Sequence, residues 1–233
     1  MEIPLFLAMT AAEFRIAAEI PAHPAWMACH FSAYGTGISN LPRELPAGAM
    51  LMLNDRTPIC GHDPEDVAKP LCDTAQRLEC DSIVLDFQRE GQEELTDVIR
   101  AVLDRAHCPV GVSAPYAEGF DCPVLVPPID PHISPQEALA PWEGRELWLE
   151  LSTEGTQIAV TEAGSRYTPL THYLPGEGAH YEPLLHCHYE IIVEENRIFF
   201  NLGRTEEDRE TLQNAVKALG VTRTVALWQE VQR

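Results

Sequence analysis

The stretch Asp81-Ser82-Ile83-Val84-Leu85-Asp86-Phe87-Gln88 decides the fold of this chain. Its centre, Ser82 to Phe87, is short, β-branched and apolar without interruption. A run of that kind suits a strand buried on both faces, as in a parallel sheet. Helical patterns flank it. Asp63-Pro64-Glu65-Asp66 is a helix start, with a cap, a proline at the first helical position and acids at the positive end of the dipole. That helix runs to about Glu79 with a kink at Pro70. A second helix covers Glu93 to Arg105.

Outward from this unit, strand and helix keep alternating. Ile3 to Ala8 reads as a strand, and Thr10-Ala11-Ala12-Glu13 as a capping box opening a helix to about Glu19. Ala25 to Phe31, Ala49 to Leu53, Pro109 to Ser113, Pro123 to Val126 and Glu146 to Leu151 are further strands, with a brief helix from Ser134 to about Ala140. A helix from Thr205 ends at Gly220 and leads to a last strand, Thr222 to Trp228, with no helix after it. Eight such strands in α/β alternation predict a compact or irregular (β/α)₈ TIM-like barrel, with an open doubly wound sheet as the alternative. Between the seventh strand and its helix the pattern changes. Thr156 to Thr161, Leu184 to Val193 and Arg197 to Leu202 read as antiparallel strands, with a turn at Glu194-Glu195-Asn196 and a loop from Ser165 to Pro183. The expected organisation is one domain over 1–233, with 153–203 as a small antiparallel β insertion before the last helix.

The chain has 233 residues, 45% of them hydrophobic, too apolar for disorder and long enough for a sizeable core. Its formal net charge is −20, from 16 Lys+Arg against 36 Asp+Glu, which repels phosphate backbones and anionic lipid. Nucleic acid and membrane surfaces are therefore not expected partners. No apolar run reaches the length of a membrane-spanning helix, and Glu2 stands where a signal peptide would carry a base. Seven cysteines in no framework spacing read as reduced thiols, and the expected compartment is the cytoplasm.

In a barrel of this type the active site gathers at the C-terminal ends of the strands. Those ends supply His30, Ser32 and Tyr34; Asn54, Asp55 and Arg56; Asp86, Gln88 and Arg89; Ser113 and Tyr116; Asp130; Glu150 and Ser152; and Trp228, Gln229 and Glu230. Aromatic faces beside amides and carboxylates suit a sugar, whose C–H faces pack on rings while its hydroxyls take polar groups. Arg56 and Arg89 are available for an anion or for a neighbouring acid.

The segment Asp81 to Gln88 resembles the D-x-x-D-x-D-x-E signature of the family 18 glycoside hydrolases, the chitinase-like enzymes. The resemblance implies a barrel with this segment on the fourth strand, an α+β insertion after the seventh, and a tryptophan near the end of the eighth, where Trp228 stands. Asp81 and Asp86 match the first and third acids. Val84 replaces the second, and Gln88 replaces the glutamate that protonates the leaving oxygen. A carboxamide hydrogen-bonds but donates no proton to a leaving group. The resemblance thus implies a pseudoenzyme, a barrel that binds a carbohydrate or similar polar ligand without hydrolysing it. Asp86 and Gln88 would be the central contacts, with Asp55, Tyr116, Glu150 and Trp228 around them.

Two other readings compete. A hydrolase of another class would use Asp86 with Asp55 or Glu150, or a metal held by His186 and His188, which alternation places on one strand face, with His172 and His180 upstream. A scaffold that binds a protein partner would need no small-molecule site. Cys60-Gly61-His62-Asp63 is a weaker cluster, because Asp63 is needed as a helix cap. The G-x-S-x-G elbow, the dinucleotide loop and the phosphate loop are all missing, so no cofactor is expected. The oligomeric state is open at this level.

Overall fold

The computed structural model describes residues 2–17, 19–89, 91–162, 164–171, 173–194 and 197–231. The chain divides into two compact units. One comprises residues 4–127, 145–149 and 222–233; the other comprises 1–3, 128–144 and 150–221.

The first unit carries the barrel. In chain order come β1 (Leu5–Met9), α1 (Ala11–Ile16), β2 (Pro24–Phe31), β3 (Ile38–Ser39), β4 (Met50–Asn54), α2 (Pro64–Arg77), β5 (Ser82–Asp86), α3 (Glu93–Arg105), β6 (Val110–Ser113) and β7 (Val124–Val126). Then follow α4 (Pro135–Leu139), β8 (Leu147–Leu151), five strands described below, α5 (Glu206–Lys217), β14 (Val221–Leu227) and α6 (Trp228–Val231), of which α4, the five strands and α5 belong to the other unit. The parallel strands run β1-β14-β8-β7-β6-β5-β4-β2, and β2 pairs back onto β1, so eight strands close into a (β/α)₈ barrel. The open-sheet alternative is excluded by that closing pair.

The barrel is irregular, as expected. The capping box at Thr10 and Glu13 forms, but α1 stops at Ile16, short of Glu19. The β2–β4 connection carries β3, paired antiparallel to β2, in place of a helix. A single 3₁₀ turn, Ala114–Tyr116, joins β6 to β7. A four-residue α6 follows β14, where no helix was expected. In α2, Asp63 accepts from the Glu65 N–H at 2.9 Å and Pro64 opens the helix, with Pro70 inside it.

The barrel interior is filled by Phe6, Ala8, Ala25, Met50, Met52, Val84, Leu125, Trp148 and Val225. Trp148 is fully buried. Its ring takes the space of a side chain on β6: a Cβ on Gly111 would lie 2.3 Å from Trp148 Cε3. Glycine is what lets the indole lie inside. The Trp148 Nε1–H donates to Glu146 Oε1 at 3.1 Å.

The other unit contains an antiparallel sheet of β9 (Gly155–Thr161), β10 (Gly164–Leu170), β11 (His180–Glu182), β12 (Cys187–Glu194) and β13 (Arg197–Gly203), ordered β10-β9-β13-β12-β11. Strands β10 and β11 lie where the sequence suggests only a loop. The expected start of β12 at Leu184 moves to Cys187, because residues 183–186 form a turn in which His186 has φ 48°. Glu195 and Asn196, expected as a turn, lie outside the described residues, as does His172; Glu194 and Arg197 pair between β12 and β13. Arg204, buried just beyond β13, donates to the carbonyls of Ile129, Leu185 and His186. No helix among the described residues is long and apolar enough to cross a membrane.

Candidate functional site

Register carries polar residues to one end of the barrel. Met52 pairs with Val84, both in the interior cluster, and two residues later Asn54 pairs with Asp86. His30 in turn pairs with Asn54. Side chains two apart share a strand face, so His30, Asn54 and Asp86 form a polar row at the C-terminal end of the apolar interior.

Each member of the row is held from behind. The His30 Nδ1 lies 2.8 Å from the Phe31 carbonyl, an acceptor, so that nitrogen carries the proton. Its Nε2 then accepts from the Asn40 amide at 3.1 Å. The Asn54 amide donates to the Met27 carbonyl at 3.0 Å and its oxygen accepts from the Arg56 N–H at 3.1 Å. Gln88 Nε2 donates to Asp86 Oδ1 at 2.5 Å. Burial pushes the Asp86 carboxyl above its ordinary value; the Gln88 amide opposes this and the nearby Asp55 charge adds to it.

Asp55 is buried, and one of its oxygens accepts two successive backbone N–H groups, Gln88 at 3.0 Å and Arg89 at 2.7 Å. Arg89 returns the contact, donating to the carbonyls of Asp55 at 3.0 Å and Arg56 at 3.2 Å. The Tyr116 hydroxyl donates to the Arg89 carbonyl, and the Tyr116 ring meets Phe87 edge-on at 6.2 Å. Ser113 Oγ accepts from the Phe87 N–H at 3.0 Å and donates to its carbonyl at 2.7 Å. The segment 86–89 is therefore clamped from β4 on one side and β6 on the other. Asp55 and Tyr116 set its backbone, and Asp86 and Gln88 remain as its paired polar side chains.

The other expected residues are placed differently. Trp228 opens α6 and is half-buried, while Leu227 is the residue that packs against the interior cluster. Glu150 is the fourth residue of β8, and Asp130 accepts from the buried Thr156 hydroxyl at 2.9 Å; both belong to the unit that carries the antiparallel sheet. Asp81 is at the opposite end of β5 from Asp86, where Arg223 Nε donates to it at 3.1 Å. The motif's first acid thus has a structural partner at the base of the barrel.

The paired-histidine reading needs correction. His186 lies in the left-handed turn before β12, so strand alternation does not bring it beside His188. His188 Nδ1 is 2.8 Å from the buried Asp208. Among the described residues no group of three or more His, Cys, Asp or Glu could hold a metal ion. The thiols of Cys72, Cys80 and Cys187 are pushed up by burial to about 11 and that of Cys29 to about 12, which removes them as nucleophiles near neutral pH. Sequence reasoning missed Phe31 and Phe87, fully buried rings 5.6 Å apart at this end of the barrel. Each directly follows or ends a strand, the only signal available.

Solved structures share this architecture. The C-terminal domain of a putative chitinase from Desulfitobacterium hafniense matches with a TM-score of 0.58 at 10% identity, covering 98% of this chain and 94% of that one. The spore cortex-lytic enzyme SleL of Bacillus cereus matches at 0.57 and 9% identity, over 97% of this chain and 70% of that one. A GH18 chitinase from Cycas revoluta, solved with (GlcNAc)₃, matches at 0.56 and 11% identity, over 97% and 95%. The chain has the fold of the family 18 chitinases. No protein-family model and no curated protein matches the sequence. At these identities the likeness is one of fold, and it agrees with the resemblance drawn from Asp81 to Gln88.

Proposed function

We propose that this family 18-like barrel binds a carbohydrate at its C-terminal mouth and does not hydrolyse it, with Asp86 and Gln88 as the central contacts. The observation that carries the reading is the Gln88–Asp86 hydrogen bond on a segment fixed by Asp55 and Tyr116. A glycosidase of this family type needs a carboxylic acid to protonate the leaving oxygen, and Gln88 offers only an amide. The pair still presents a carbonyl oxygen, an N–H and carboxyl oxygens in fixed geometry, which is what hydroxyl and acetamide groups require. Trp228, at the end of β14, is the aromatic surface proposed for the sugar face. The Cycas chitinase in complex with (GlcNAc)₃ suggests the first ligand to try.

The test is calorimetric titration of the protein with (GlcNAc)₃. The reading expects saturable binding that weakens at least ~10-fold in Asp86→Ala and in Gln88→Ala, with folding verified by circular dichroism. Binding unaffected by both substitutions, or none by the parent, would remove it.

One observation favours a second reading. The elevated Asp86 carboxyl is of the kind used as a general acid. A hydrolase of another class would then act through Asp86, and its activity would follow that group's titration.

A further inference from the structure

The antiparallel sheet leaves one face open, and its composition is unusual for so acidic a chain. Cross-strand register sorts the side chains. Ile191 lies opposite Phe200 and Val193 opposite Ile198; Phe200 lies opposite Ile158, Ile198 opposite Val160, and Ile158 opposite Tyr167. Directly opposed residues share a face. This face therefore carries Tyr167, Ile158, Val160, Ile198, Phe200, Ile191 and Val193 and, across that span, no charged side chain. The reverse face carries Arg166, Gln157, Asn201, Arg197, Glu190 and Glu194, with Ala159, Phe199 and Ile192 among them.

One end of the apolar face is covered within its own unit. Asp130 takes the Thr156 hydroxyl, and the His132 ring lies 4.7 Å from that of Tyr167. Away from that end Val193 is 71% exposed, Ile191 52% and Ile198 40%, and Tyr167 itself stays 54% exposed. Isolated exposed apolar residues need no explanation, but a contiguous patch rimmed by polar groups marks an interaction site.

We propose that this face is the contact between two copies of the chain. Four strands at ~4.8 Å spacing and about six residues at ~3.4 Å give a face of roughly 19 by 20 Å. Two such faces in contact bury roughly 760 Å², short of the ~1,000 Å² of a stable specific interface and of the size of a weak, transient one. Because the face is uncharged, two copies meet without burying a charge, as in the packing of two sheets in a sandwich. The net charge of −20 on each copy opposes the approach, so the dimer is weak and strengthens as salt screens that repulsion. A basic peptide held by the same acidic surface would show the opposite salt dependence, since screening removes its attraction.

Sedimentation velocity of the whole chain tests this, from about 1 to about 200 µM and at about 0.05 and about 0.5 M NaCl. The proposal expects concentration-dependent dimer that is tighter at the higher salt. Val193→Asp, at the exposed end of β12, weakens association at least ~10-fold by placing like charges across the contact. Ile192→Asp, one residue along and on the reverse face, leaves it unchanged. Circular dichroism and the unfolding midpoint verify that each variant is folded, and Tyr167→Ser replaces Val193→Asp if that variant is not. A parent chain that stays monomeric throughout, dimer tighter at low salt, or equal loss in Ile192→Asp each overturns the proposal.

Discussion

Strand β5 begins beside one aspartate and ends on another, and the two live in opposite circumstances. At the base of the barrel Asp81 is paired: Arg223 donates to it at 3.1 Å and to Glu146 at 3.4 Å, and its guanidinium lies 4.7 Å from the centre of the Trp148 ring. Glu146 also accepts from the Thr222 hydroxyl at 2.7 Å and from Trp148. Asp81, Glu146 and Arg223 thus all have charged partners. At the mouth Asp86 has an amide for company, no ion pair among the described residues, and a carboxyl raised by burial. The base closes and stiffens the barrel. The mouth keeps a polar group in an unfavourable setting, the arrangement expected where a ligand supplies what the protein withholds.

The largest expected effect lies between the two ends. Gly111→Ala forces a methyl into the Trp148 ring and should cost about 2–3 kcal/mol or more in urea-unfolding stability. A smaller loss would mean that the indole can move, and that the interior is less closely packed than described. Next is Asp55→Ala, which leaves two backbone N–H groups without their acceptor and should cost about 2 kcal/mol while weakening ligand binding. Loss of stability alone, with binding intact, would separate Asp55 from the site. Arg223→Met removes the cation from the base and should cost about 1–2 kcal/mol with binding unchanged, since nothing at the mouth touches it.

The smallest change in stability is expected at Asp86, and its sign is the informative part. A carboxyl whose folded value is raised favours the folded state when protonated, so its contribution is greatest below the ordinary value of 3.8 and is lost as pH rises through the elevated one. Asp86→Asn removes that titration. It should match the parent at low pH and exceed it in stability near neutrality, as thermal melts across the acidic range would show. A variant less stable than the parent at pH 7 would mean that the charged form is held favourably, as at the base.

Much of the barrel was legible because its strands are buried on both faces. Ser82–Asp86 and Met50–Asn54 are apolar runs too short for helices, and caps at Thr10, Asp63 and Thr205 announce their helices. Strand β10 was not legible, because Arg166, Thr168 and Pro169 break any apolar alternation on an exposed edge. At the site, Asp86 and Gln88 could be nominated from the end of a predicted strand and from the resemblance to the family 18 signature. The roles of Asp55, Ser113 and Tyr116 could not, since they act on the backbone of residues 87–89 across more than 25 positions of sequence. The same limit hid the partner of Asp81, which comes from β14.

The central claim is that the mouth binds a sugar and leaves its bonds intact. It is tested most directly by incubating the protein with (GlcNAc)₃ and following ligand signals and released reducing ends by NMR in one sample. The account predicts saturation transfer to the sugar from the parent, none from Asp86→Ala, and no new reducing ends from either. Cleavage by the parent, or no transfer at all, would contradict it.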